Sequence, residues 1–365
     1  PGQTIFVADG QYAAFEIKNV RGTKERPITI KALGKGTTIA AESAKLAAIQ
    51  ITHSRHIVID GIASRGNKGK AIFVRNSHGV TVRNSVLAEN GRNGIEFSHC
   101  NDALIENNDI YDNQKSGISF SNSGDRVTIR GNRIRNNTSG VMMGADLAAG
   151  GADEVAPDGV ISDVLIENNV ISDCGSTGAA INLDGIQKAI IRNNVLSNNG
   201  ASGIALYNAS GASGPIDVLI AHNTVDMAAT SRPALLLSNL SGAVKVRNNI
   251  LMARNTARAT VFVDSEASSR LIDADRNVFV ENLNFKVGDD SEMIDFEAWQ
   301  ALGHDKNSLL ASPDELFIEP GRDYHLKAAA PARGRGEILN PAFPDAEGQP
   351  RPADTAPDIG AYQRR

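Results

Sequence analysis

The chain has 365 residues, 41% hydrophobic and 22% charged, with a formal net charge of −5 and a pI near 5.9. Without a basic segment, nucleic acid is a poor partner, and no apolar stretch reaches the roughly 18 residues that a membrane span needs. Two cysteines, Cys100 and Cys174, are too few for a disulfide framework and are expected as free, buried thiols.

Glycine is abundant (34 residues), aromatics make up only 5%, and Asn-Asn pairs recur, a mixture that suits tight turns between short strands. Residues 1–50 carry strand-like runs between turn residues, Gly2–Tyr12 and Arg26–Ala32, and are expected to form an N-terminal cap and the first coils. His53, His56 and Asp60 lie close in sequence, but a strand puts the two histidines on opposite faces and the spacing matches no defined metal site. Residues 51–285 form the repeating body. Gly94, Gly117 and Gly140 are spaced 23 residues apart, and an Asn marker returns at Asn84, Asn107/Asn108, Asn132, Asn168/Asn169, Asn193/Asn194, Asn223, Asn248/Asn249 and Asn277. Each repeat holds short runs of alternating apolar residues, such as Ile95 and Phe97 around Glu96, the period of a half-buried strand.

A unit this short buries its apolar face only by stacking on copies of itself. The spaced leucines of a leucine-rich repeat are absent, and a propeller blade is longer. The expected fold is therefore all-β: one single-stranded right-handed parallel β-helix, a solenoid in which the recurrent Asn side chains bond from coil to coil. Residues 144–160 interrupt one repeat as an inserted loop. From about residue 286 the repeat lapses into a C-terminal capping segment, 286–365. Within it Asp295–Leu302 is expected as one short helix with Asp295 as N-cap and Trp299 as a core anchor, and Asp358–Tyr362 as a final strand.

The coils of the form Gly-Ile-x-Phe … Ile-x-Asn-Asn-x-Ile resemble the repeat shared by mannuronan C5-epimerases and related carbohydrate-binding and sugar-hydrolase β-helices. The opening, from Pro1 to Ala32, is similar to that of chondroitinase B-type and alginate-cleaving lyases, and Pro357–Gln363 resembles the close of many secreted β-helix proteins. The resemblance covers nearly the whole chain. It implies an acidic polysaccharide substrate, β-elimination or C5-epimerisation, and a secreted or periplasmic setting. The start at Pro1 reads as a trimmed mature chain. The epimerase group carries Asp-Pro-His-Asp where this chain has Glu96–Cys100, and only His99 matches. The Asp-rich Gly repeats that bind calcium in some epimerases are absent, so no cofactor is assigned, and calcium remains an open option.

The strand after each repeat Gly supplies the candidate face. Inward positions are Ile72/Val74, Ile95/Phe97, Ile118/Phe120, Ile181/Leu183 and Ile204/Leu206. Arg75, Glu96, Asn182, Asp184 and Tyr207 then point outward, with His99, Asn122 and Asn208 just past the strand ends and Lys115, Asp146, Asp153, Glu154 and Asp158 at the border. Glu96 to Tyr207 is four coils, or roughly 19 Å at the inter-strand spacing, the length of about four sugars. Removal of a uronate C5 proton needs a base, a neutraliser for the carboxylate and a proton donor. On this reading His99 is the base, Tyr207 the acid, and Arg75, Lys115 or Asn182 the neutraliser, with Asn122 and Asn208 as sugar contacts. Two alternatives stand beside it. A glycoside hydrolase would use Glu96 and Asp184, which lie three coils and about 14 Å apart, too far for a hydrolytic pair. A non-catalytic polysaccharide-binding or surface protein would need no such groups at all. The oligomeric state is left undetermined.

Overall fold

The computed structural model describes residues 1–40, 46–146, 158–175 and 178–364. Every coil gives one strand to each of three parallel sheets of 11, 12 and 11 strands. The first sheet runs from Thr4–Val7 to Ile272–Asp275, the second from Gly10–Ala13 to Leu309–Ala311, and the third from Phe15–Lys18 to Phe285–Val287. The chain is thus a right-handed parallel β-solenoid of about 11 turns, with three short helices and one small antiparallel pair, Phe317–Glu319 with Asp323–Leu326, among the described residues.

Like stacks on like through the core. Ile72, Ile95, Ile118, Val141, Ile181 and Ile204 follow one another in register in the third sheet, and all are fully buried. The repeat glycines sit where the chain enters that sheet. A Cβ on Gly94 would lie 2.6 Å from Ile110 Cγ2 and 2.7 Å from the Gly117 carbonyl, so only hydrogen fits. Cys100 and Cys174 are free and buried, as expected.

The Asn-Asn pairs divide their labour. The first residue of each pair takes the left-handed conformation that turns the chain: Asn107, Asn168, Asn193 and Asn248 have φ between 54° and 59°, a region Asn tolerates better than most residues. The second residue faces inward. Asn108, Asn132, Asn169, Asn194, Asn223, Asn249 and Asn277 form one buried ladder, each accepting through Oδ1 both the backbone N–H and the side-chain Nδ2–H of the preceding member at 2.9–3.1 Å. A second ladder, Asn67, Asn90, Asn113 and Asn137, follows the same pattern at the next bend.

At the C-terminal end, Phe296–Ala301 is a helix capped by Asp295, whose Oδ1 accepts from Ala298 N at 2.8 Å. Trp299 is buried against Phe285 and His304 and donates Nε1–H to Asp305. Asp358–Tyr362, expected as a strand, is not one. Gly360 has φ +99°, and the segment lies across the solenoid flank, where Gly360 N donates to Asn248 O and Ala361 N to Thr224 Oγ1 instead of joining a ladder. Arg351 clamps it, donating to Asn193 Oδ1 and to the carbonyls of Gly360 and Ala361.

Two substitutions separate these roles. Asn169→Ala strands the donors of Asn132 and the carbonyl of Ile129 in the core, and is expected to lower unfolding free energy by about 3 kcal/mol in urea denaturation. Asn168→Gly, at φ 56° with no side-chain acceptor to lose, is expected to change it by less than about 0.5 kcal/mol.

Candidate functional site

The outward residues of the third sheet stack in two columns. One runs Gln50, Phe73, Glu96, Ser119, Met142, Asn182, Ala205, Leu236, Phe262 and Lys286; the other runs Thr52, Arg75, Ser98, Ser121, Gly144, Asp184 and Tyr207. All five pairs expected to face inward are fully buried. The small side chains at Ser119, Ser121 and Gly144 separate two chemically different ends.

At the N-terminal end the charges are consumed locally. Glu96 Oε1 accepts from Lys70 Nζ at 2.6 Å and Oε2 from Asn93 Nδ2 at 2.5 Å, while the Lys70 ammonium lies 3.9 Å from the Phe73 ring centroid. His99 does not face solvent. It is 1% exposed, with φ 52°, and occupies the left-handed bend position of its coil, equivalent to His53, Asn76 and Asn122. Its Nδ1 lies 3.1 Å from Ser98 Oγ and 3.3 Å from Asn122 Nδ2. His53 in the same bend is exposed and Asn122 half-buried, so it is burial at this coil, not the bend itself, that sets His99 back from the outward face on which the base was expected. Arg75 is exposed but five coils from Tyr207, about 24 Å at the inter-strand spacing. Lys115 is exposed just before the strand Ser116–Asn122, three coils from Tyr207.

At the C-terminal end the candidate residues do meet. Asn182 Nδ2 donates to Tyr207 Oη at 2.7 Å, and Asp184 is the register neighbour of Tyr207. Asp184 Oδ1 accepts the backbone N–H of Ala209 at 2.7 Å, which fixes the loop following Tyr207. Asn208, half-buried in that loop, accepts through its carbonyl from Asn239 Nδ2 at 3.1 Å. Burial raises the Tyr207 pKa above the usual phenol range and the Asp184 charge adds to the rise, with the Asn182 hydrogen bond opposing it. Tyr207 therefore keeps its hydroxyl proton at physiological pH.

Beyond Tyr207 the first column continues through residues that sequence reasoning missed. Two hollows of about 370 Å³ and 440 Å³ share Arg232, Leu236 and Phe262 and so form one trough. Asn182, Ala205 and Tyr207 lie at one end, and Arg258 and Lys286 at the other. Leu236 and Phe262 are the floor, and three cations line it. Phe262 and Lys286 were legible in principle, since Val261-Phe-Val263 alternates as Ile95-Glu-Phe97 does. Arg232 and Arg258 come from loops between strands, where register cannot be counted.

Of the border acids, Asp146 N donates to Asn122 O and Asp158 Oδ1 accepts from Val160 N; Asp153 and Glu154 lie outside the described residues. Asp60, buried, is held by Arg83 and Asn84, and no three His, Cys, Asp or Glu side chains converge as metal ligands among the described residues.

A model of the right-handed β-helix region matches residues 4–152, 47–225 and 155–288, more than half of the chain. The chain belongs to the right-handed β-helix family. No curated protein sequence matches it. Among solved structures this β-helix is similar to the pectate lyase Pel9A (TM-score 0.58, 17% identity, 100% of this chain and 88% of that one) and to PfbA, a surface adhesin of Streptococcus pneumoniae (0.59, 11%, 84% and 81%). It is also similar to the A-module of the Azotobacter vinelandii mannuronan C-5 epimerase AlgE6 (0.52, 16%, 85% and 90%). At these identities the likeness is one of fold.

The two neighbours of Tyr207 are expected to move its ionisation in opposite directions. Asp184→Asn removes the adjacent negative charge and lowers the Tyr207 pKa, whereas Asn182→Ala removes a donor to the phenolate and raises it further. Ultraviolet titration of phenolate absorbance, with each variant referenced to its own Tyr207→Phe counterpart, measures both shifts.

Proposed function

We propose that this β-helix binds an extended acidic polysaccharide along the C-terminal half of the third sheet and acts on it at Tyr207 by β-elimination or C5-epimerisation. The observation that carries this reading is the trough itself. A neutral, buried-edge phenol opens onto an apolar floor of Leu236 and Phe262, lined by Arg232, Arg258 and Lys286. Sugar rings stack on an aromatic face through their C–H edges, and cations at coil spacing suit a polymer bearing one carboxylate per residue. The polysaccharide enzymes among the structural neighbours, pectate lyase and mannuronan C-5 epimerase, support the same class of substrate. A polymer of this kind places the protein outside the cytoplasm, in a secreted or periplasmic setting.

In this scheme Arg232, which borders both hollows, neutralises the uronate carboxylate and so stabilises the charge that develops when C5 loses its proton. Asp184, the register neighbour of Tyr207, takes that proton. Tyr207 then protonates the leaving glycosidic oxygen, giving an unsaturated uronate, or protonates the opposite face of C5, giving the epimer. Glycoside hydrolysis is less well supported. Glu96 and Asp184 lie three coils apart, about 14 Å, beyond the roughly 9.5 Å limit of an inverting pair, and Glu96 is already ion-paired. The reading kept beside the enzyme is a binding protein, favoured by Asp184 spending one carboxylate oxygen on the Ala209 N–H.

A panel of uronate polymers, with and without calcium, tests the proposal through the ultraviolet absorbance of unsaturated products and through proton exchange at C5. Wild type is expected to give one signal or the other. Tyr207→Phe should lose at least about 100-fold of the rate, and Arg232→Ala should bind more weakly as well. Binding without either signal would leave the polysaccharide-binding protein, and no binding to any polymer would remove the proposal.

A further inference from the structure

The outward face of the first sheet carries a second pattern, on the opposite side of the molecule's chemistry. Its central column is apolar or small: Val58, Thr81, Leu104, Thr128, Leu165, Ile190 and Leu219 stack in register. Leu104, Leu165 and Leu219 are half-buried, and Ile190 is 36% exposed. A charged column flanks each side. On one side Asp60, Arg83, Glu106, Arg130, Glu167 and Arg192 alternate in sign, with Arg83–Asp60 at 3.0 Å, Arg130–Glu106 at 2.7 Å and Arg192–Glu167 at 2.6 Å. On the other side Asp102, Arg126, Asp163, Lys188 and Asp217, all with φ between 47° and 57°, alternate likewise, with Arg126 bound to Asp102 through two hydrogen bonds.

The two flanks are in phase. The coil with Leu104 carries Asp102 and Glu106, the next carries Arg126 and Arg130, then Asp163 and Glu167, then Lys188 and Arg192. Asp125, 3.9 Å from Arg126, dilutes but does not reverse the sign of its coil. Whole coils are therefore banded in charge, negative and positive in turn.

From this banding we propose that the first sheet is a self-association surface, on which a second copy of this chain docks face to face with its solenoid axis antiparallel. The phase selects that geometry. Copies with parallel axes related by a two-fold axis would set Asp102 against Glu106 and Arg126 against Arg130, like against like. A two-fold axis along the strands, passing between the Gly124–Arg130 and Ile161–Glu167 coils, sets each band against its opposite. Arg126 and Arg130 then face Asp163 and Glu167 of the second copy, and Asp102 and Glu106 face its Lys188 and Arg192. The same operation lays Leu104 on the second copy's Ile190 and Thr128 on its Leu165. The self-complementary patch spans six coils from Thr81 to Leu219, about 24 Å, which puts it at the small end of protein interfaces. Docking there leaves the trough on the third sheet open.

Sedimentation equilibrium of the full chain from about 1 to 100 μM tests the association. A concentration-dependent monomer–dimer equilibrium is expected, and Leu165→Lys with Ile190→Lys should abolish it without moving the thermal midpoint. Disulfide trapping tests the geometry. Leu104→Cys mixed with Ile190→Cys should cross-link across the interface, whereas either variant alone should not, because the antiparallel arrangement separates identical residues by three coils. A monomer at every concentration would overturn the proposal, as would self-cross-linking of either single variant, the signature of parallel axes.

Discussion

From Asn108 to Asn277 each coil is held by the one that follows it through the hydrogen bonds of a single buried asparagine ladder. Asn169 accepts from both donors of Asn132 and gives both of its own to Asn194. The side chain thereby satisfies backbone groups left unpaired where the chain turns out of the sheet. Because the ladder must run unbroken, the bend before it must recur with the same geometry in every coil, and this fixes the left-handed residue immediately upstream. Once the bends are fixed, the strands between them can only stack in register. The outward columns are then set, and with them the trough on the third sheet and the charge bands on the first.

This constraint explains what was legible in the sequence. The ladder announces itself as Asn-Asn, and the repeat glycines mark the points where a Cβ would strike the next coil, so the fold, the inward residues and the C-terminal helix could all be read from the chain. His99 was misplaced for the same reason. The residue after an outward strand position belongs to the bend, and its equivalents Asn76 and Asn122 carry φ of 49° and 76°. The match to the epimerase histidine and the count along the outward stripe suggested a catalytic group where the backbone makes a turn. Asp358–Tyr362 alternates as a strand would, but Gly360 at φ +99° breaks the extended path.

The trough escaped sequence reading because its cations arrive from outside the repeat. Asn182, Asp184 and Tyr207 sit on strands and could be counted. Arg232 and Arg258 precede their strands in loops of irregular length, and only folding brings them beside Phe262. The solenoid thus supplies a regular floor and the loops supply the charge. The first sheet divides the work differently. There the charge lies on the coils themselves, banded by the repeat, and suits a regular partner such as a second solenoid. One scaffold presents two faces with two kinds of order, one irregular and cationic, the other periodic and neutral overall.

A crystal structure of the protein with a uronate tetrasaccharide tests the central claim most directly. The account predicts sugar rings over Phe262 and Leu236, a carboxylate on Arg232, and the Tyr207 hydroxyl directed at a glycosidic oxygen or at C5. An oligosaccharide bound instead near Arg75 and Lys115, with the trough empty, would contradict it.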